Sequence, residues 1–234
     1  MKKKILITGC AGFIGSNLVD LLLKKNFTIV GIDNLSTGKK KNLFHALKNK
    51  NFRLFKIDLK NKKKIIRLFK KIDTVFHLAA NADVRNGFKN PKKDLDENTI
   101  VTFNVLEAMR LNNVKKIVFS STGSIYGETK QIPTPENANF PIQTSFYGAS
   151  KLACEGLIQA YSDNYNFQCW IFRFVSILGK RYSHGHVFDF YKKLLKNNHN
   201  LDVLGDGNQK KSDLNILDCL DAIMIAINKS KKKI

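Results

Sequence analysis

Ile5-Leu6-Ile7-Thr8-Gly9-Cys10-Ala11-Gly12-Phe13-Ile14-Gly15-Ser16-Asn17-Leu18 decides the fold class of this chain. A short apolar run, strand-like in composition, meets a turn with glycines at 9, 12 and 15, and an apolar-periodic helix pattern continues to Leu23. Glycine is needed where a backbone must take positive φ or approach a pyrophosphate closely. The helix start that follows offers N–H groups to the same anion. The spacing is G-x-x-G-x-x-G rather than G-x-G-x-x-G, and alone it also suits an ordinary strand–helix turn. The second apolar run, Phe27-Thr28-Ile29-Val30-Gly31-Ile32, favours the dinucleotide reading because it ends on Asp33, 18 residues beyond Gly15. A carboxylate near that spacing accepts the ribose hydroxyls of NAD. Its charge repels the 2′-phosphate of NADP, so the pattern favours NAD, with Lys39, Lys40 and Lys41 read as a solvated run.

Strand-like and helix-like segments alternate beyond this unit, which predicts a doubly wound parallel sheet with helices on both faces. Further strands are expected at Phe52–Ile57 ending on Asp58, Thr74–Leu78 ending on Ala79-Ala80, Lys116–Phe119 ending on Ser120-Ser121-Thr122, and Gln168–Phe174. Helices are expected at Ser16–Lys25, Lys62–Lys71, Asn98–Leu111 and Tyr147–Asn164. Ligands of such sheets bind beyond the carboxyl ends of the strands. Asp33, Asp58, Ala79, Ala80 and Thr122 all fall there. After residue 175 the alternation becomes irregular, with a helix over Val187–Lys196, a strand over Leu201–Leu204, a Gly205-Asp206-Gly207 turn and a helix over Leu217–Asn228.

Tyr147 and Lys151 stand at i and i+4 and share one helix face. An ammonium beside a phenol favours the phenolate, lowering a tyrosine pKa that is ordinarily about 10. A tyrosine tuned this way can move a proton near neutral pH. The pair alone also fits a solvated helix surface, and its weight comes from the cofactor pattern around it.

Composition bounds the rest. At 234 residues with 43% hydrophobic content, the chain suits one large domain, or one domain with a small appendage. The formal net charge is +21, from 40 Lys and Arg against 19 Asp and Glu. The lysines are scattered without aromatic interleaving or a recognition motif, so the charge is read as a solvated surface that attracts anionic substrates rather than as nucleic-acid binding. Cys10, Cys154, Cys169 and Cys219 show no paired spacing, as expected of reduced cytoplasmic thiols. The apolar run after Met1-Lys2-Lys3-Lys4 is too short for a signal peptide, and no stretch approaches membrane-spanning length. A soluble cytoplasmic protein without membrane partners is expected.

The glycine loop, Asp33-Asn34-Leu35-Ser36-Thr37-Gly38, His77-Leu78-Ala79-Ala80, Ser120-Ser121-Thr122 and Tyr147-x-x-x-Lys151 together resemble the extended short-chain dehydrogenase/reductase family, and within it the NAD-dependent nucleotide-sugar epimerases of the UDP-glucose 4-epimerase type. The resemblance covers nearly the whole chain. It implies a Rossmann domain over residues 1–175 and a nucleotide-sugar binding region over 176–234 that is small and cut short relative to the family. By resemblance Gly9, Gly12 and Gly15, with Phe13 and Ile14, line the cofactor pyrophosphate. Asp33 holds the adenosine ribose, Asn34, Ser36 and Gly38 also bind the cofactor, Asp58 and Leu59 flank the adenine, and Ala79 and Ala80 pass beneath the cofactor. Asn98 supports the site; alone it would pass for a helix cap. Tyr147 is implied as the base, Lys151 as the holder of the nicotinamide ribose that depresses the Tyr147 pKa, and Thr122 as the hydroxyl partner of the reacting oxygen.

The related 4,6-dehydratases place Asp-Glu after the threonine, whereas Thr122 is followed here by Gly123-Ser124, which favours an epimerase or a reductase. The substrate half departs from the family: Ser176 stands for the usual asparagine, Lys211 for a diphosphate-binding arginine, and His184-Gly185-His186-Val187 fall where diphosphate is contacted. His184 and His186 alone are too few ligands for a metal site. The resemblance implies a nucleotide-diphosphate sugar as substrate, and a homodimer through the helices at Asn98–Leu111 and Tyr147–Asn164. A nucleotide-sugar reductase or dehydrogenase and an inactive NAD-binding fragment remain the alternatives.

Overall fold

Alternating side chains of one five-residue strand divide the hydrophobic core in two. β1 (Lys4–Thr8) sends Leu6 into a layer with Phe69, Val105, Phe119, Ile158 and Phe167, and sends Ile5 and Ile7 into a second with Leu18, Leu22, Trp170 and Ile223. Burial on both faces, with a period of two, is what a central parallel strand requires. The computed structural model describes residues 3–82, 87–129, 131–139, 142–183, 185–203, 205–208 and 210–230. His184, one of the histidines weighed for a metal, lies outside them, as does Leu204 at the end of the strand expected over Leu201–Leu204.

β1 is flanked by β2 (Thr28–Asp33), β3 (Phe52–Lys56), β4 (Thr74–His77), β5 (Lys116–Thr122) and β6 (Gln168–Phe174) in the order β3-β2-β1-β4-β5-β6, every pair parallel. This is the doubly wound order that binds dinucleotides where the strand sequence reverses, between β1 and β4. α1 (Phe13–Lys24) and α7 (Ile216–Lys229) cover one face, while α2 (Lys62–Ile66), α4 (Val101–Leu111) and α5 (Phe146–Tyr165) cover the other. Among the described residues no helix is long and apolar enough to cross a membrane.

Three local expectations are corrected. The helix expected from Asn98 begins earlier: Pro91 opens α3 (Pro91–Asp94), with proline's fixed φ suited to a first helical turn. A π-helical segment, Leu95–Ile100, then joins α3 to α4, so Asn98 lies inside a continuous helix. The helix expected over Lys62–Lys71 ends at Ile66 and tightens to a 3-10 turn, Arg67–Phe69. Residues 201–203 form no strand. A second, two-stranded parallel sheet is built instead from β7 (Ser176–Leu178) and β8 (Asp213–Asn215), with Ile177 opposite Leu214. α6 (His186–Lys196) buries none of its side chains.

Candidate active site

The turn between β1 and α1 is too tight for side chains. Gly9 has φ +68°, and a Cβ there would lie 2.7 Å from the Ala79 amide nitrogen; a Cβ on Gly15 would lie 2.2 Å from the Gly9 carbonyl oxygen. The turn can therefore sit directly against the start of α1, where the amides of Phe13 and Ile14 have no carbonyl one turn earlier in the helix. A cavity of about 260 Å³ opens beside it, lined by Gly12, Phe13, Lys39, Lys41 and Arg181 among others. A narrow backbone cradle, a helix N-terminus and three cations fit a pyrophosphate.

The residues expected at the adenosine end come together. Asp33 is buried at the end of β2, where Oδ2 accepts from the Ala11 amide and Oδ1 from the Leu35 amide, both at 2.8 Å. Gly38 packs on that carboxylate so closely that a Cβ would lie 2.8 Å from Oδ1. Asn34 Oδ1 accepts from the Ser36 amide (3.0 Å) and hydroxyl (2.7 Å), while its Nδ2 donates to Asp58 Oδ2 at 3.3 Å. Leu59 beside Asp58 is buried. The Cys10 thiol is buried in the same turn, and burial with the Asp33 charge drives its pKa upward, so this cysteine is packing rather than a nucleophile.

Ala79 and Ala80 follow β4 and are held by a network that the motif HLAA does not reveal by itself. Thr8 Oγ1 accepts from the Leu78 and Ala79 amides at 3.2 and 3.3 Å, so its proton goes to His77 Nδ1, 2.7 Å away. The His77 ring proton is then on Nε2 and is donated to Thr102 Oγ1 at 3.0 Å. Burial, helped by the Lys151 charge, pulls the His77 pKa down to about 3, so the ring is a neutral connector at neutral pH.

Asn98 is not a cap. Its Oδ1 accepts from the Asn81 amide at 2.8 Å, and its Nδ2 donates to Ser150 Oγ at 2.9 Å and to Asp94 Oδ1 at 3.3 Å. Asp94 Oδ1 also accepts from Asn81 Nδ2 at 2.8 Å. The π-helical turn aims Asn98 across to α5, a common use of such turns at functional sites. Asn81 and Asp94 carry no sequence motif, and only their burial singles them out.

Ser145 caps α5 by accepting from the Gly148 amide at 3.0 Å, and Gly148 lets the helix start approach the Ser124 carbonyl, where a Cβ would sit at 2.8 Å. Tyr147 is thereby brought beside Thr122, whose hydroxyl favours the phenolate. Thr122 Oγ1 also lies 3.2 Å from Ser124 Oγ. The electrostatics differ from the expectation that Lys151 depresses the Tyr147 pKa. Burial raises it, the Thr122 hydroxyl lowers it less, and Asp94 and Cys154 add to the rise. The physical cause is placement: Lys151 is 2% exposed, with Nζ directed to the Phe119 ring 4.2 Å away. Burial brings the Lys151 pKa down to about 8, with Cys154 and Glu155 opposing the fall.

The residues expected at the substrate divide. Ser176 on β7 is buried and paired in register with Asp213, and His186 Nε2 at the start of α6 lies 3.9 Å from Asp213 Oδ1. Val187 and Lys211 are exposed. Asp213 is thus a shared neighbour of Ser176 and His186 that sequence reasoning missed.

A model of the NAD-dependent epimerase/dehydratase family matches residues 5–234. The chain belongs to that family. Its relatives within the epimerase/dehydratase family include a UDP-glucose 4-epimerase of Mycolicibacterium smegmatis, 33% identical over 95% of this chain and 72% of its own. The crystal structure of a UDP-galactose 4-epimerase is 37% identical with a TM-score of 0.86, covering 97% of this chain and 72% of that one. A UDP-glucuronic acid 4-epimerase from Bacillus cereus, in complex with UDP-glucuronic acid and NAD, is 34% identical with a TM-score of 0.88, covering 99% of this chain and 74% of that one. The family is NAD-dependent, and NAD is its cofactor.

Proposed function

We propose that the protein is a nucleotide-sugar 4-epimerase that keeps NAD bound and acts through a 4-keto sugar. The observation that supports this most is that Tyr147 sits beside Thr122, one helical turn from Lys151, at the sheet end that carries the glycine cradle and Asp33. Gly9, Gly12, Phe13, Ile14 and Gly15 take the pyrophosphate. Asp33, Asn34, Ser36 and Gly38 take the adenosine ribose, Asp58 and Leu59 the adenine surround, and Ala79, Ala80 and Asn98 the floor beneath the nicotinamide. NAD, when bound, supplies a hydride acceptor and a positive charge at that floor.

Tyr147 removes the sugar hydroxyl proton and returns it after the ketone has turned over. Thr122 holds the reacting oxygen. Lys151, charged below its pKa of about 8, holds the nicotinamide ribose. Because burial favours the neutral phenol of Tyr147, ionisation needs the cofactor's own charge nearby, so proton removal is confined to the loaded site. Ser176, His186, Val187 and Lys211 face the nucleotide diphosphate within the 176–234 substrate region. Exposed Ile100 at the end of the π-helical segment, Phe103 and Leu111 on α4, and Phe146 and Tyr165 on α5 offer the surface for a homodimer. The protein is taken to act in the cytoplasm.

Incubation with UDP-glucose, UDP-glucuronic acid and UDP-N-acetylglucosamine without added cofactor tests the proposal. Epimeric product from the wild type, and none from Tyr147→Phe with its NAD retained, is the expected result. Stoichiometric consumption of NAD(P)H, when it is then added, would point to a reductase, and bound NAD without turnover to an inactive binder.

A further inference from the structure

Glu155 follows Lys151 by one helical turn and is 1% exposed. Arg173 on β6 grips it with both edges of the guanidinium: Nη2 donates to Oε2 at 2.9 Å, and Nε lies 3.2 and 3.3 Å from Oε1 and Oε2. Ser121, directly before Thr122 and opposite Arg173 in the sheet register, donates its hydroxyl to Glu155 Oε1. The remaining Arg173 nitrogen reaches the other way. Nη1 donates to the Tyr126 hydroxyl and to the Glu136 carbonyl at 2.7 Å, and Tyr126 itself donates to that carbonyl at 2.9 Å. Tyr126 closes the 3-10 turn Gly123–Tyr126, which begins at Thr122 and contains Ser124. One guanidinium therefore fastens the catalytic helix, the strand end at Ser121 and the turn beyond Thr122 to each other. The proposed chemistry gives this ion pair no step of its own, although the Glu155 charge opposes the fall in the Lys151 pKa.

Resting on the epimerase reading above, we propose that Glu155 and Arg173 are a positioning pair that sets the turn bearing Thr122 and Ser124 against Tyr147. The alternative is that the pair only holds the fold together. An isolated buried charge is costly, whereas removing both charges together leaves no orphan. The double variant Glu155→Gln/Arg173→Met therefore separates the two roles.

Positioning predicts a double variant with near-native melting and one NAD per chain, yet with kcat lowered about tenfold or more and KM changed less than about threefold, the scale expected when a reacting group is misplaced by about 1 Å. Arg173→Lys, which keeps the charge but cannot fork to Glu155 and Tyr126 together, is expected to lower kcat in the same sense. A double variant whose kcat per bound NAD equals that of the wild type overturns the proposal. If the wild type epimerises no nucleotide sugar, the epimerase reading fails, and hydrogen exchange decides the positioning role instead. Faster exchange of the 123–126 amides in the Arg173→Lys or double variant supports it, and unchanged exchange overturns it.

Discussion

Asn98 Nδ2 donates to Ser150 Oγ at 2.9 Å, joining the π-helical segment to the helix that carries Tyr147 and Lys151. The same side chain accepts from the Asn81 amide beyond β4. Asn98 is thus the tie between the floor of the cofactor site and the proton-transfer helix. Replacing it by Ala removes the acceptor of the Asn81 amide and one of the two donors to Asp94 Oδ1. A loss of about 1–3 kcal/mol in folding stability is expected, read by urea denaturation, with a fall in kcat larger than the rise in KM. A variant as stable as the wild type would remove this role.

Gly9 and Gly15 have no room for a methyl group. Gly15→Ala forces a Cβ onto the Gly9 carbonyl, and Gly9→Ala adds the strain of φ +68°. Both variants are expected to fold around β4–β6 but to purify without NAD. Heat release of bound nucleotide, measured at 260 nm, checks this.

Asp33 is the residue proposed to select the cofactor. With a carboxylate fixed by the Ala11 and Leu35 amides, NADP meets a negative charge where its 2′-phosphate must sit. Asp33→Ser should weaken NAD binding by about tenfold or more and narrow the preference for NAD over NADP, aided by Lys39 and Lys41, because charge-assisted hydrogen bonds are the strong ones. Isothermal titration with each nucleotide gives the ratio. An unchanged preference would place selection elsewhere.

Lys151 makes stability depend on pH in a definite direction. Its folded pKa, about 8, lies below the ordinary lysine value of 10.5, so between the two the unfolded chain binds more protons. Stability contributed at this site therefore rises with pH through that window and is lowest, and flat, below pH 8. Lys151→Met should stabilise the cofactor-free protein at pH 7 by roughly 2–3 kcal/mol, an advantage that shrinks toward pH 10. Chemical denaturation at both pH values tests the sign.

His77 acts in the same sense in a more acidic window. Its pKa falls from 6.5 to about 3, so on acidification the unfolded chain takes up a proton that the folded chain refuses. Stability is lost as pH drops from 6.5 toward 3. His77→Gln should flatten that slope by nearly one proton while lowering stability at pH 7, as read from denaturation midpoints between pH 4 and 7.

Much of this was legible in the chain itself. The glycine turn, the six strand-like runs and Asp33 are short-range patterns, and the sheet has six parallel strands with Asp33 at the end of β2. Expectations failed where a pattern needed a distant partner. Leu201 and Val203 look strand-like but pair with nothing among the described residues, while Ser176–Leu178 and Asp213–Asn215, too short to stand out, find each other. Asn98 resembled a cap because the proline-led turn before it has almost no apolar period.

The sequence by itself determined a glycine turn after β1 backed by an acid at the end of β2, the place proposed for the dinucleotide, because backbone conformation and alternating burial are imposed by neighbouring residues. Only the tertiary structure decided the state of the Tyr147/Lys151 pair. Helical spacing sets them on one face, but their pKa values follow from what surrounds them: burial for both, the Thr122 hydroxyl for the phenol and the Glu155 charge for the ammonium. Glu155 in turn is gripped by Arg173, which lies 18 residues away in sequence and on the far strand of the sheet. Electrostatic environments of this kind are made by the fold, since desolvation and long-range pairing exist only once the elements have packed.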